Sequence, residues 1–194
     1  DQNVAVYALS RDLPVEKVGE MLDVVAEPVR TGVMAPLYRQ VKDGYDKEMA
    51  RRAAAERVKE GNVAPDFTLK DLNGNDFTLS SLRGKYVVLD FWGSWCGWCI
   101  KGIPDMEKAY AKCKAKVEFV GIDCRDTEEK WRKAVEEYDM PWLHVRNGDN
   151  PDVSVLYAVR GYPTKIILSP EGTILKVVVG EDPEFYAYLD SLME

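Results

Sequence analysis

The stretch Tyr86-Val87-Val88-Leu89-Asp90-Phe91-Trp92-Gly93-Ser94-Trp95-Cys96-Gly97-Trp98-Cys99 decides the fold. Its first seven residues are apolar apart from Asp90, the pattern of a central strand covered on both faces. Gly93 and Ser94 close the strand. A helix is then expected from about Gly97 to Lys114, with Ile103, Met106, Tyr110 and Cys113 on one face. A buried strand therefore delivers two cysteines, three residues apart, to the start of a helix.

Working outward, Val117 to Ile122 reads as the next strand and Thr127 to Tyr138 as a helix with Thr127 as its N-cap. Trp142 to Val145 is a short strand and Asp152 to Val159 a short helix. Thr164 to Leu168 and Thr173 to Val179 form a hairpin across Ser169-Pro170-Glu171-Gly172, and Pro183 opens a last helix. On the other side, Phe67-Thr68-Leu69 and Phe77-Thr78-Leu79 flank the turn signal Asn73-Gly74. Strand–helix–strand units closed by a hairpin and a helix indicate an α/β sandwich around a mixed sheet. Residues 1–60 differ: Val15, Val18, Leu22 and Val25 share one helical face, and a second helix is expected from about Met34 to Lys59. Gly61-Asn62-Val63-Ala64 reads as a linker. The chain divides into an all-helical segment, 1–60, and an α/β domain, 61–194.

The bulk properties exclude several classes. The 194 residues are 46% hydrophobic, enough for a substantial core, and carry a net charge of -7 without a basic stripe, which argues against nucleic acid as a partner. No apolar run approaches the roughly 18 residues that span a bilayer. Asp1-Gln2-Asn3 do not open a signal peptide, although a trimmed chain could have lost one. Four cysteines, at 96, 99, 113 and 124, are too few for a disulfide scaffold at this length.

The informative feature is the C-x-x-C spacing. A helix N-terminus offers unsatisfied N–H groups and the positive end of the helix dipole, and both favour a thiolate at Cys96. One turn of helix brings the Cys99 sulfur close, so the pair can close a disulfide and reopen it. Cys96 is expected to be the exposed attacker, with Cys99 more buried and resolving the mixed disulfide. A zinc site would need about four ligands; there is no second C-x-x-C, and His144 is the single histidine. No metal and no bound cofactor is expected. Cys113 reads as a small core residue. Cys124 is expected at the active-site edge, too far from Cys113 to pair with it.

These motifs resemble a known family. Val88 to Cys99, with Gly161-Tyr162-Pro163-Thr164 downstream, is similar to thioredoxin. Ala64-Pro65-Asp66-Phe67-Thr68-Leu69, the hairpin and Gly84 to Leu89 narrow the resemblance to the TlpA/ResA-like thiol–disulfide oxidoreductases of the thioredoxin superfamily, over about residues 62–193. The resemblance implies a thioredoxin-like three-layer α/β/α sandwich with an N-terminal β-hairpin, preceded by a helical segment. It also implies dithiol–disulfide exchange with protein thiols in the periplasm or another exported location, as a reductant. An upstream redox partner, membrane-embedded, would supply electrons, and an anchor absent from this chain could hold the protein at the membrane.

Residue by residue, Pro163 would be a cis-proline beside the cysteines, with the Tyr162 backbone pairing with an extended substrate. Trp95, Gly97 and Trp98 would line the substrate side. Asp90 corresponds to a buried acid that exchanges a proton with Cys99; without nearby cations its pKa should be raised. The lysine that accompanies this acid in thioredoxin has Gly121 in its place. The glutamate three residues after the second cysteine, common among TlpA/ResA-like proteins, is Gly102, and Trp98 replaces the usual proline between the cysteines. Two other readings are weighed. A peroxidase wants Pro-x-x-x-Thr-x-x-Cys, which the residues before Cys96 do not supply. A metal- or partner-binding module without catalysis, such as a copper carrier, wants C-x-x-x-C and a placed histidine.

Overall fold

A computed structural model describes residues 13–193. The helical reading of residues 1–12 lies outside them. The chain forms two compact units that meet between Ala53 and Ala54. The first comprises α1 (Val15–Asp23), α2 (Glu27–Thr31) and most of α3 (Ala35–Ala55). Leu22, Val25 and Val29 are its buried centre, packed by Val18, Met21, Leu37 and Tyr38. Arg30 ties the turn down, donating to the Val25 carbonyl at 2.7 Å.

The second unit carries the α/β domain. Its elements are β1 (Thr68–Asp71), β2 (Asp76–Thr78), a short 3-10 turn (Leu79–Leu82), β3 (Tyr86–Trp92), α4 (Gly97–Cys113), β4 (Val117–Asp123), α5 (Glu128–Glu137), β5 (Leu143–Arg146), α6 (Val153–Leu156), β6 (Thr164–Leu168), β7 (Ile174–Val179) and α7 (Pro183–Ser191). The strands form one sheet in the order β2-β1-β5-β4-β3-β6-β7. β3 runs parallel to β4, β4 parallel to β5, and the other pairs are antiparallel. This is the mixed, helix-flanked sheet expected from the sequence.

Period-two alternation along β3 divides the core. Val87, Leu89 and Phe91 enter the layer shared with Val153 and Tyr157. Val88 and Trp92 enter the layer built with Ile103 and Met106 of α4, Trp131 of α5 and Phe185 and Leu189 of α7. Asp90 has the parity of this second layer. β3 lies between β4 and β6, which is why its sequence is apolar on both faces.

The segment 61–64 is not a free linker. The Gly61 N–H donates to the Ile174 carbonyl at 2.8 Å, the Ala64 N–H donates to the Gly172 carbonyl at 2.9 Å, and Val63 bridges Thr173. Backbone pairing to a sheet edge leaves little side-chain pattern, so composition alone read these residues as a connector. Helix capping follows the sequence more closely: Thr127, Asp152 and Asp182 each accept a backbone N–H at the start of α5, α6 and α7.

Candidate active site

β3 ends at Trp92, and the turn Gly93–Trp95 places Cys96 at the N-cap of α4. Cys96 and Cys99 are joined by a disulfide with Cα atoms 5.2 Å apart. The Cys99 N–H points at the Cys96 sulfur, 3.1 Å away. That amide is one of the donors a helix start leaves unpaired, so the same contact would steady a thiolate on Cys96 after reduction. The expectation that Cys96 stands clear of Cys99 does not hold: they are 6% and 5% exposed. The closed bond folds the Cys96 sulfur onto the first turn of α4, and both sulfurs join the hydrophobic layer.

The turn is held by polar contacts on one side. Asp126 accepts the Ser94 N–H at 2.6 Å and its hydroxyl at 2.8 Å. The Trp95 indole donates to the Cys124 carbonyl at 2.8 Å. Trp95 meets Tyr162 edge-on at 5.2 Å, and the Arg125 guanidinium lies 5.4 Å from the Trp95 ring centre and 5.2 Å from that of Tyr162. Arg125 holds a left-handed φ of 73° to reach that position. The Tyr162–Pro163 peptide is cis, immediately before β6. Trp95 and Trp98 expose about half or more of their surface beside the sulfurs, whereas Trp92 is buried under the turn.

Cys113 and Cys124 are free and buried. Burial, with a smaller effect of nearby acids, pushes the Cys124 thiol up to about 12, which leaves it almost wholly protonated at neutral pH.

Asp90 sits differently from its expected setting. Its register partner on β4 is Gly121, as the sequence comparison implied, but its partner on β6 is Lys165. The Lys165 ammonium is 3.8 Å from the Asp90 carboxylate and 2.5 Å from that of Glu181. A cation is therefore present, correcting the expectation of an acid without one. Burial still raises the Asp90 pKa; Lys165 opposes the rise and Glu181 adds to it. The signal for Lys165 was in the sequence: it interrupts the apolar strand Thr164–Leu168 as Asp90 interrupts β3. Glu181 and Tyr186, whose hydroxyl lies 3.3 Å from the Glu181 carboxylate, gave no such signal.

The space beside Gly121 is also filled. A methyl group there would lie 2.6 Å from Nδ1 of His144. His144 packs between Trp92 and Trp142, with ring centres 5.8 and 5.6 Å away. Neither ring nitrogen makes a well-formed hydrogen bond; the Met140 backbone is the polar group that acts on the ring. Burial drives its pKa down to about 3, against a smaller pull from the Met140 backbone, and the ring is neutral.

Comparison with known proteins agrees with this geometry. Residues 61–177 match the AhpC/TSA family. The chain is 35% identical over 153 residues to the thiol-disulfide oxidoreductase ResA of Bacillus subtilis, covering 78% of this chain and 84% of that one. The chain belongs to the AhpC/TSA family. Among solved structures, the thioredoxin domain of a thiol-disulfide oxidoreductase from Bacteroides vulgatus superposes with a TM-score of 0.65 at 34% identity, over 70% of this chain and 99% of that one. A thiol:disulfide interchange protein from Bacteroides sp. gives 0.63 at 33% identity, over 70% and 90%. This AhpC/TSA-family chain is a thioredoxin-fold thiol–disulfide oxidoreductase of the ResA type, acting on protein thiols, and its C-x-x-C pair stands where the chemistry needs it. The family match, residues 61–177, begins after the first helical unit, whereas the ResA alignment, at 78% of the chain, reaches into it.

Proposed function

We propose that the chain reduces disulfides in exported proteins outside the cytoplasm, with Cys96 as the attacking thiolate and Cys99 as the resolving thiol. The observation that carries this reading is the Cys96 sulfur at the N-cap of α4, facing the Cys99 amide. In the forward direction the Cys96 thiolate attacks a substrate disulfide, forms a mixed disulfide and expels one substrate thiolate. Cys99 then gives its proton to Asp90 and attacks the Cys96 sulfur. The bond to substrate breaks, the second substrate sulfur leaves as a thiolate and takes a proton from water, and two electrons have passed from the protein pair to the substrate.

Trp95, Gly97, Trp98 and the Tyr162 backbone ahead of Pro163 form the substrate side, where an extended segment can pair in strand-like fashion. The cycle needs no bound cofactor. A separate redox protein, membrane-embedded, returns electrons to the oxidised pair. The export location rests on the ResA likeness. Among the described residues no helix is long and apolar enough to cross a membrane.

The direct test is trapping in cells with Cys99→Ala. Mixed disulfides on Cys96 are expected with exported partners. Their absence, with the protein reduced and folded, would contradict the reading.

A further inference from the structure

Gly102 lies one helical turn beyond Cys99 on α4, and it is buried. A methyl group at Gly102 would fall directly on the Glu181 carboxylate. Glu181 comes from the segment between β7 and α7, 79 positions away in sequence but against the active-site helix in space. Its Oε1 accepts from Lys165, its Oε2 from Tyr186. Lys165 is 2% exposed, and the side chains of Asp90 and Glu181 are 13% and 20% exposed. The last of these borders a cleft of about 310 Å³ whose other walls include Trp98, Lys101, Gly102, Asp105 and Tyr186.

The trio holds two carboxylates and one ammonium. The ammonium is within hydrogen-bond reach of Glu181 and not of Asp90, whose Oδ1 has no hydrogen-bond partner. With both acids ionised, a nearly closed site would carry a net negative charge. When the trio takes up a proton, as when Cys99 gives one up, that proton settles on the acid that the ammonium does not hold, which is Asp90. Tyr186, with its own pKa raised by burial and then by Glu181 and Asp90, stays a neutral donor to Glu181. Lys101, Asp105 and Asp182 are the other charged groups around the cleft, and Cys99 lies one turn before Gly102 on α4.

We propose that Glu181 is a positioning residue of the exchange reaction: by engaging Lys165 in the space that Gly102 leaves open, it keeps that cation from Asp90 and sets the pH at which Asp90 can take the proton from Cys99. The proposal rests on the role given to Asp90 above. Removing the Glu181 charge frees Lys165 to swing to Asp90. An opposite charge at that range lowers a carboxyl pKa by about one unit or more.

The test uses the whole chain and two readouts. The first is the carboxyl carbon NMR signal of Asp90, titrated in the wild type, Glu181→Gln, Glu181→Asp and Gly102→Ala. Its midpoint is expected to fall by about one pH unit in Glu181→Gln. It should fall also in Gly102→Ala, where the methyl group displaces the carboxylate, and stay near the wild-type value in Glu181→Asp. The second is the release of the second thionitrobenzoate from the mixed disulfide formed with Ellman's reagent, which reports the attack by Cys99. Its pH profile should move with the Asp90 midpoint, and Glu181→Gln should add nothing in an Asp90→Asn background. An unmoved Asp90 midpoint in both Glu181→Gln and Gly102→Ala, with both folded by thermal unfolding, overturns the role of Glu181 and leaves the exchange reading standing. A midpoint that moves while the release profile stays put, or that is matched by an unaltered profile in Asp90→Asn, overturns the role of Asp90 and the Glu181 proposal with it.

Discussion

Two buried acids stand on neighbouring strands and are solved in different ways. Asp90 on β3 has an ammonium 3.8 Å away and a second carboxylate beyond it. Asp123, at the end of β4, is fully buried and faces the carboxylate of Asp126, which itself secures the Ser94 turn. Burial, then the Asp126 carboxylate, pushes Asp123 up to about 8, with Arg146 opposing. Both acids are protonated more readily than usual, but for different purposes. Asp90 is balanced between a cation and an anion, so a small change in its surroundings moves its proton. Asp123 is pressed on by another acid and keeps its proton through the neutral range. The first arrangement suits proton transfer; the second leaves Asp123 a neutral buried carboxyl under the active-site turn, with no well-formed hydrogen bond on either oxygen.

The largest effect expected is in the attack by Cys99. Asp90→Asn should slow it on the order of a hundredfold near neutral pH, the usual worth of a placed acid or base. Asp123→Asn should leave it within about threefold. Single-turnover release from a Cys96 mixed disulfide measures both. Similar losses in the two variants would erase the contrast.

Stability gives the next largest effect and separates the pair again. A carboxyl whose folded pKa lies above its unfolded value of roughly 3.9 binds more protons when folded. Its favourable contribution is therefore complete below that unfolded value and is lost as pH rises through the folded one. For Asp123 the loss runs from about pH 4 to about pH 8. Asp123→Asn should thus be more stable than the wild type at pH 9, by about 1–3 kcal/mol, and gain nothing at pH 4. Denaturant unfolding across pH checks this; an equal gain at both pH values would contradict the assignment.

The smallest effect concerns the rim. Arg125 lies over Trp95 and Tyr162, the aromatics of the proposed substrate side, and touches neither acid. Arg125→Ala should weaken binding of a protein substrate about two- to fivefold, the worth of an exposed cation–aromatic contact, and leave the Cys99 step unchanged.

The fold was legible because its strands are apolar runs and its helices begin at Thr127, Asp152 and Pro183, signals that depend on near neighbours in sequence. The cysteine pair was legible for the same reason: spacing and helix position are local. What escaped was assembled across the sheet. The cation beside Asp90 comes from β6, not from β4 where Gly121 sits, and Glu181 enters a gap that Gly102 leaves open. Reading each glycine as a loss missed that small residues make room. Two charges interrupting two apolar strands, Asp90 and Lys165, were the sequence's own hint of a pair, because an unpaired buried charge is costly. The burial of Cys96 could not be read from spacing, since it comes from the hydrophobic layer that Trp92, Ile103 and Met106 build around the pair.

The most direct measurement is to oxidise the fully reduced protein with one equivalent of a small disulfide, block the remaining thiols by alkylation and map the linkages by mass spectrometry. A single intramolecular bond between Cys96 and Cys99, reversible by dithiothreitol, with Cys113 and Cys124 unlinked, is the predicted result. A bond that includes Cys113 or Cys124, or a Cys96–Cys99 pair that stays open, would contradict the account.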